Sequence, residues 1–136
     1  MSTTIADVRD TMSNAIRQGT NIRAMAYQTS NLPHPVAVIT PLQYDPRYVL
    51  GKSTADYPFK VSVVVGPASE VHAQKLCDRL REPDGDGSIV AAIEDADYWT
   101  DTAIQYVSVT SVGEVGEVAV SEETLLVFEV EATVVW

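Results

Sequence analysis

The sequence predicts an α+β fold: one domain, residues 1–136, built as a mainly antiparallel sheet with two to three helices packed on one face. Three observations carry this expectation. The predicted elements run helix, two strands, a long loop, one strand, two helices and three strands, an order too irregular for alternating βαβ units and suited to helices segregated on one side of a sheet. The end of the chain alternates apolar and polar residues with the period-two spacing of a half-buried strand. A length of 136 residues with 46% apolar content is enough for one core and short for two.

Taking the elements in order, Ile5, Val8, Met12, Ala15 and Ile16 recur at helical spacing, while Asp7, Arg9, Asp10, Asn14 and Arg17 fall elsewhere on the helix. Thr4 and Asp7 stand at capping-box spacing, with Asp replacing the usual Glu or Gln, and Gly19 is the expected stop. IRAMAY (22–27) is a short strand candidate. Pro33 and Pro35 make SNLPHP a loop, since each removes a donor and extends the residue before it. VAVIT (36–40) is apolar on both faces and so internal to a sheet. A polar stretch then interrupts the sheet until strand 57–65, where Phe59, Val61, Val63 and Val65 alternate with Lys60, Ser62 and Val64, and Gly66 and Pro67 are the expected end.

A second helix follows in SEVHAQKLCDRLREP, with Ala73, Leu76, Cys77 and Leu80 as its apolar stripe and Pro83 beyond its stop. DGDG (84–87) is a turn, and Ser88 caps a short helix in SIVAAIEDA. IQYVSVTSV, GEVAV and LLVFEVEATVVW are three strands joined by turns. In the last, Leu126, Phe128, Val130, Ala132, Val134 and Trp136 share one face, and Glu129, Glu131 and Thr133 the other.

Charge is unevenly placed. The first 81 residues hold all nine Lys and Arg against six acids, formally +3; residues 82–136 hold thirteen acids and no Lys or Arg, formally −13. Such a pole does not grip nucleic acid, because phosphate binding rests on cationic side chains. It either solvates the protein or faces a basic partner. No apolar run approaches the roughly 18 residues of a membrane-spanning helix. The opening MSTTIADVRD lacks a basic segment followed by an apolar one, so no secretory signal is expected. The single cysteine, Cys77, excludes an intramolecular disulfide and a cysteine-based zinc site, and its place on the apolar stripe of a helix reads as burial rather than reactivity.

Chemistry-bearing patterns are sparse. Counted from Asp84, a calcium loop wants Gly at the sixth position and Glu at the twelfth, where the chain has Ile89 and Asp95. Gly51-Lys52-Ser53 ends like a phosphate loop, but its first glycine position is Pro46. No Gly-x-Ser-x-Gly elbow exists. The two histidines, His34 and His72, have no ligand spacing and are not expected to share a site. The pair Glu122 and Glu123 reads as a solvated turn. No catalytic, metal or cofactor-binding residues are expected, and an enzyme is unsupported.

Three linked pieces carry a resemblance: GTNIRAMAYQTSNLPHPVAVI; PLQYDPRY leading through a polar loop into YPFKVSVVVG; and AQKLCDRLREPDGDGSIVAAIE. In this order they resemble the tail terminator (tail completion) proteins of long-tailed bacteriophages, of the actinobacteriophage type. The similarity covers most of the chain and is weakest over the last three strands, which match in pattern only. The resemblance implies a non-enzymatic virion protein, made in the bacterial host cytoplasm, that forms a ring of six copies at the head-proximal end of the tail tube. The ring stops tube polymerisation and joins the tail to the head connector or stopper protein, and DNA passes through it without specific binding. No cofactor and no membrane are involved.

On this resemblance, residues 41–56 are expected to form an assembly arm reaching a neighbouring copy, because rings need heterologous contacts. Tyr44, Tyr48 and Tyr57 supply contact area with a polar tip. Asp45 accompanies them, and Arg47 and Lys52 face the acidic region of the neighbour. The alternative is a surface loop whose tyrosines pack on their own subunit. Glu114, Glu117, Glu122, Glu123, Glu129 and Glu131 are candidates for an acidic lumen, where like charge keeps DNA off the wall, or for a partner face. Two other functions fit less well: another head–tail junction protein (neck or stopper), and a small-molecule-binding α+β domain, which needs a concave pocket with converging polar groups near His34 or His72.

Overall fold

The computed structural model describes residues 4–27, 34–42, 56–100, 104–120 and 122–136. Its elements are α1 (Ile5–Thr20), β1 (Arg23–Met25), β2 (Val36–Pro41), β3 (Asp56–Pro67), α2 (Val71–Leu80), α3 (Ile89–Glu94), a 3₁₀ turn (Ala96–Trp99), β4 (Tyr106–Val112), β5 (Gly116–Val120) and β6 (Glu123–Val135). This is the expected α+β domain. The sheet runs β1-β2-β3-β6-β4, with β5 also pairing β6, and only the β1–β2 pair is parallel.

The core lies between the helices and one face of this sheet. Phe59, Val61 and Val63 of β3, Phe128, Val130, Ala132 and Val134 of β6, and Ala37 and Ile39 of β2 are buried there. They meet Val8, Met12 and Ile16 of α1, Cys77 and Leu80 of α2, and Ile89 and Ile93 of α3. Each of the larger apolar side chains, Val, Leu, Ile, Phe and Met, contributes about 1.5–3 kcal/mol on leaving water. The cross-strand register explains why the alternation is so clean: Phe59 faces Ala132, Val61 faces Val130 and Val63 faces Phe128, so every second residue of both long strands points into the core.

Several boundaries differ from expectation. Gly19 does not stop α1. The helix runs through it to Thr20, and Asn21, in the left-handed conformation at φ 63°, closes it by donating its N–H to the Arg17 carbonyl. Gly19 serves a packing contact instead, since a Cβ there would lie 2.5 Å from Cβ of Ala92 on α3. Likewise β3 does not end before Gly66. It continues to Pro67 through a register shift between Val64 and Gly66, and a Cβ on Gly66 would come within 3.2 Å of Cβ of Ala73, so the missing side chain lets α2 approach the strand. The predicted helix 88–96 ends at Glu94, where Asp95 caps a separate 3₁₀ turn through its bond from the Asp97 N–H (3.0 Å). The capping box at Thr4 and Asp7 and the Ser88 cap are both present, the latter accepting from the Ala91 N–H at 3.1 Å.

Candidate functional surfaces

The described residues on either side of 43–55 lie on adjacent strands: Pro41 pairs with Phe59, and the Leu42 N–H donates to the Pro58 carbonyl at 2.9 Å. Tyr44, Asp45, Arg47, Tyr48 and Lys52 lie outside the described residues. Tyr57 lies inside them. Its ring stacks on Trp136 of the same chain, centroids 4.0 Å apart at 23°, so one aromatic face of this candidate interface residue is occupied internally.

The six glutamates do not form one patch. Glu129 and Glu131 stand in the middle of the sheet, on the face opposite the core, because their neighbours Phe128, Val130 and Ala132 point inward. Around them lie Thr40, Lys60, Ser62, Thr133 and Ser111, aligned by the registers of β2, β3, β6 and β4. Lys60 sits directly across from Glu131, yet its Nζ reaches diagonally to Glu129 at 3.7 Å. Glu122 and Glu123 stand at the β5–β6 turn, Glu117 within β5, and Glu114 at the β4–β5 junction beside Gly113, level with Glu129; all four are exposed.

That hairpin is longer than its strand labels suggest. β4 and β5 lie end to end along the same edge of β6, joined through Gly113, whose N–H donates to the Glu129 carbonyl at 2.7 Å. Arg81, at the end of α2, donates from Nη2 to the Gly113 carbonyl at 3.0 Å and so ties the junction to the helical layer. β4 is shielded where Glu94 of α3 accepts from the Val109 N–H at 2.9 Å. β5 has no such guard among the described residues, and Val118 and Val120 are 46% and 50% exposed.

The structure does bring the two histidines to one place, which sequence spacing did not foretell. His34 and His72 line a cleft of about 350 Å³ with Glu70 and Glu123, over a floor that includes Val65, Gly66, Ala73 and Leu76. His34 enters from the loop before β2, His72 and Glu70 from the start of α2, and Glu123 from the start of β6, the last two brought together where the Ala68 N–H donates to the Thr124 carbonyl at 2.9 Å. All four ionisable side chains are exposed. Two carboxylates and two imidazoles here form a solvated rim. Among the described residues, no three His, Cys, Asp or Glu side chains are arranged to hold a metal ion.

A second cleft of about 340 Å³ is lined by Glu94, Trp99, Ile104 and Tyr106 among others. Two of its polar groups bond to the fold itself: Glu94 accepts from the Val109 N–H, and the Trp99 indole N–H donates to the Ile93 carbonyl at 2.9 Å. Cys77 is buried within the core, and desolvation raises its thiol pKa above the ordinary 9.0, Arg81 opposing the shift and Asp78 adding to it. No described helix is long and apolar enough to cross a membrane. The chain matches no family model and no curated protein sequence.

Proposed function

We propose that this chain is a phage tail terminator: a structural virion protein whose copies close into a ring of six at the head-proximal end of the tail tube, end tube polymerisation and meet the head connector. The observation that carries the reading is the disposition of its charge. The C-terminal acids are exposed on the free face of the sheet and around its hairpin, and the described ionisable groups converge on solvated surfaces rather than in a dry pocket. Surfaces of this kind suit assembly and repulsion of DNA better than acid–base chemistry, which needs groups held out of water. The described ends of the expected arm at 41–56 sit side by side, the Leu42 N–H bonded to the Pro58 carbonyl, which supports an arm there. Function then lies in contacts between copies, with no catalytic residue and no cofactor.

Negative-stain microscopy of the purified protein, alone and with tail tubes, tests the ring. Deleting the gene separates the terminator from its near rival: loss of a terminator leaves overlong or unjoined tubes, whereas loss of a neck or stopper protein leaves tails of normal length and leaking heads.

The histidine cleft favours a second reading, a domain that binds a small cation. Titrating arginine amide while following the imidazole proton resonances of His34 and His72 distinguishes it. Saturable shifts, abolished by Glu70→Gln with Glu123→Gln, support that reading; unmoved resonances at millimolar probe remove it.

A further inference from the structure

β4 and β5 share one side of β6, but their outer edges differ. On β4 the Val109 N–H already has a partner in Glu94, at 2.9 Å. β5, five residues long, pairs among the described residues with β6 alone, and Glu117, Val118, Ala119 and Val120 are all exposed. Its sequence GEVAV holds none of the lysine or proline that commonly blunts an edge, and an open row of amides and carbonyls is a template for another strand. The side chains along it are sorted by face. Glu117 lies opposite Leu126, a member of the core, so it stands on the core side of the sheet. Val118 lies opposite Leu125 and Val120 opposite Glu123, so the two valines stand on the free face, 46% and 50% exposed. Exposed Glu114 precedes the strand and exposed Glu122 follows it.

We propose that the β5 edge takes an extended segment of another protein, one whose residues alternate between apolar and cationic. The period of two along β5 sets the pattern of the added strand. Its residues across from Val118 and Val120 fall on the free face, where apolar side chains cover the valines. Its residue across from Glu117 falls on the core side, where Lys or Arg meets the carboxylate; opposite charges directly across strands are favourable and like charges are not. Backbone bonds then supply attachment and alternate side chains supply selectivity. Charge also determines what the edge refuses. A second β5 laid against the first brings its own Glu114, Glu117 and Glu122 to a row already lined with them, and residues 82–136 hold no Lys or Arg to offset the repulsion. An inward carboxylate at an edge blunts self-pairing, while a cation-bearing strand is still admitted. The ladder is only about 17 Å long, so the contact is small, weak and reversible. It does not depend on the ring, and either can fail alone.

The test uses the full chain, labelled with ¹⁵N, and a short synthetic peptide of alternating valine and lysine with blocked ends. Three control peptides accompany it: the same residues in block order, alternating valine and glutamate, and the valine–lysine peptide N-methylated throughout to remove its ladder donors. The expected result is saturable amide shifts confined to 114–120 with the valine–lysine peptide, and weaker binding of all three controls. At a peptide concentration about ten times Kd, the outward amides of β5 should exchange about tenfold more slowly. Glu117→Lys, at an exposed position, should weaken the valine–lysine peptide by about three- to tenfold and improve the valine–glutamate one. Equal binding of the block-order or N-methylated peptide means charge attraction without a ladder and overturns the proposal. Unmoved resonances at millimolar peptide overturn it as well. So does protection of 116–120 that rises with protein concentration alone, which marks a second copy on the edge.

Discussion

Arg9 and Gly19 each do something that their residue types alone do not announce. Arg9 sits on the polar side of α1 by spacing, yet its guanidinium donates to the Ala26 carbonyl at 2.6 Å and the Ile39 carbonyl at 3.0 Å while lying 4.0 Å over the ring of Tyr27. It ties the helix to the ends of β1 and β2, using the fork of donors that lysine lacks. Arg9→Ala should lower unfolding stability by about 1.5–3 kcal/mol, and Arg9→Lys should recover only part of it, in urea denaturation followed by tryptophan fluorescence. Gly19→Ala places a methyl 2.5 Å from Ala92 and forces α1 and α3 apart. Helix propensity favours the substitution by up to about 1 kcal/mol, but overpacking costs about 1–3, so the net effect should be destabilising. Cys77 gives a pH prediction. Its thiol is raised above 9.0 in the fold, so the native state holds the proton longer than the unfolded chain. Stability from this group is intact below pH 9 and declines as pH climbs toward the raised value, a loss that Cys77→Ala should remove from the alkaline limb of a melting-temperature profile.

At the scale of elements, sequence patterning was legible wherever a segment had one face in the core. The alternation in β3 and β6 and the stripes of α1 and α2 mark the buried residues directly, because burial on one face leaves a periodic trace. Ends were less legible. Gly19 and Gly66 read as stops, since glycine commonly ends elements, whereas here each answers to a neighbour on another element, Ala92 of α3 and Ala73 of α2. The parallel pairing of β1, the end-to-end joining of β4 and β5, and the meeting of His34 with His72 depend on tertiary register, which leaves no local signal. Glu94 is a further case, a helix-end acid whose carboxylate guards the β4 edge by accepting from Val109. Glu94→Gln keeps an acceptor and should be nearly neutral. Glu94→Ala exposes the edge amide, with a loss of about 1 kcal/mol and faster exchange at Val109, measurable by hydrogen exchange.

For the molecule as a whole, the unequal charge has to be compatible with both folding and assembly. The Lys60–Glu129 pair joins side chains 31% and 58% exposed, so it contributes at most about 1 kcal/mol, and Glu131 lies open to water beside it. Replacing Glu129 and Glu131 with glutamine therefore leaves the fold close to its original stability, and any change in assembly reports on what the free sheet face meets. If these carboxylates line a channel, rings form as before, and the purified double variant binds duplex DNA more tightly at low salt, an attraction that fades as ions screen it over about 10 Å at 0.1 M. If the carboxylates instead meet cations of the next copy, Arg47 or Lys52 being the candidates, the ring-sized species is lost from sedimentation profiles and high salt weakens the unmodified ring in parallel.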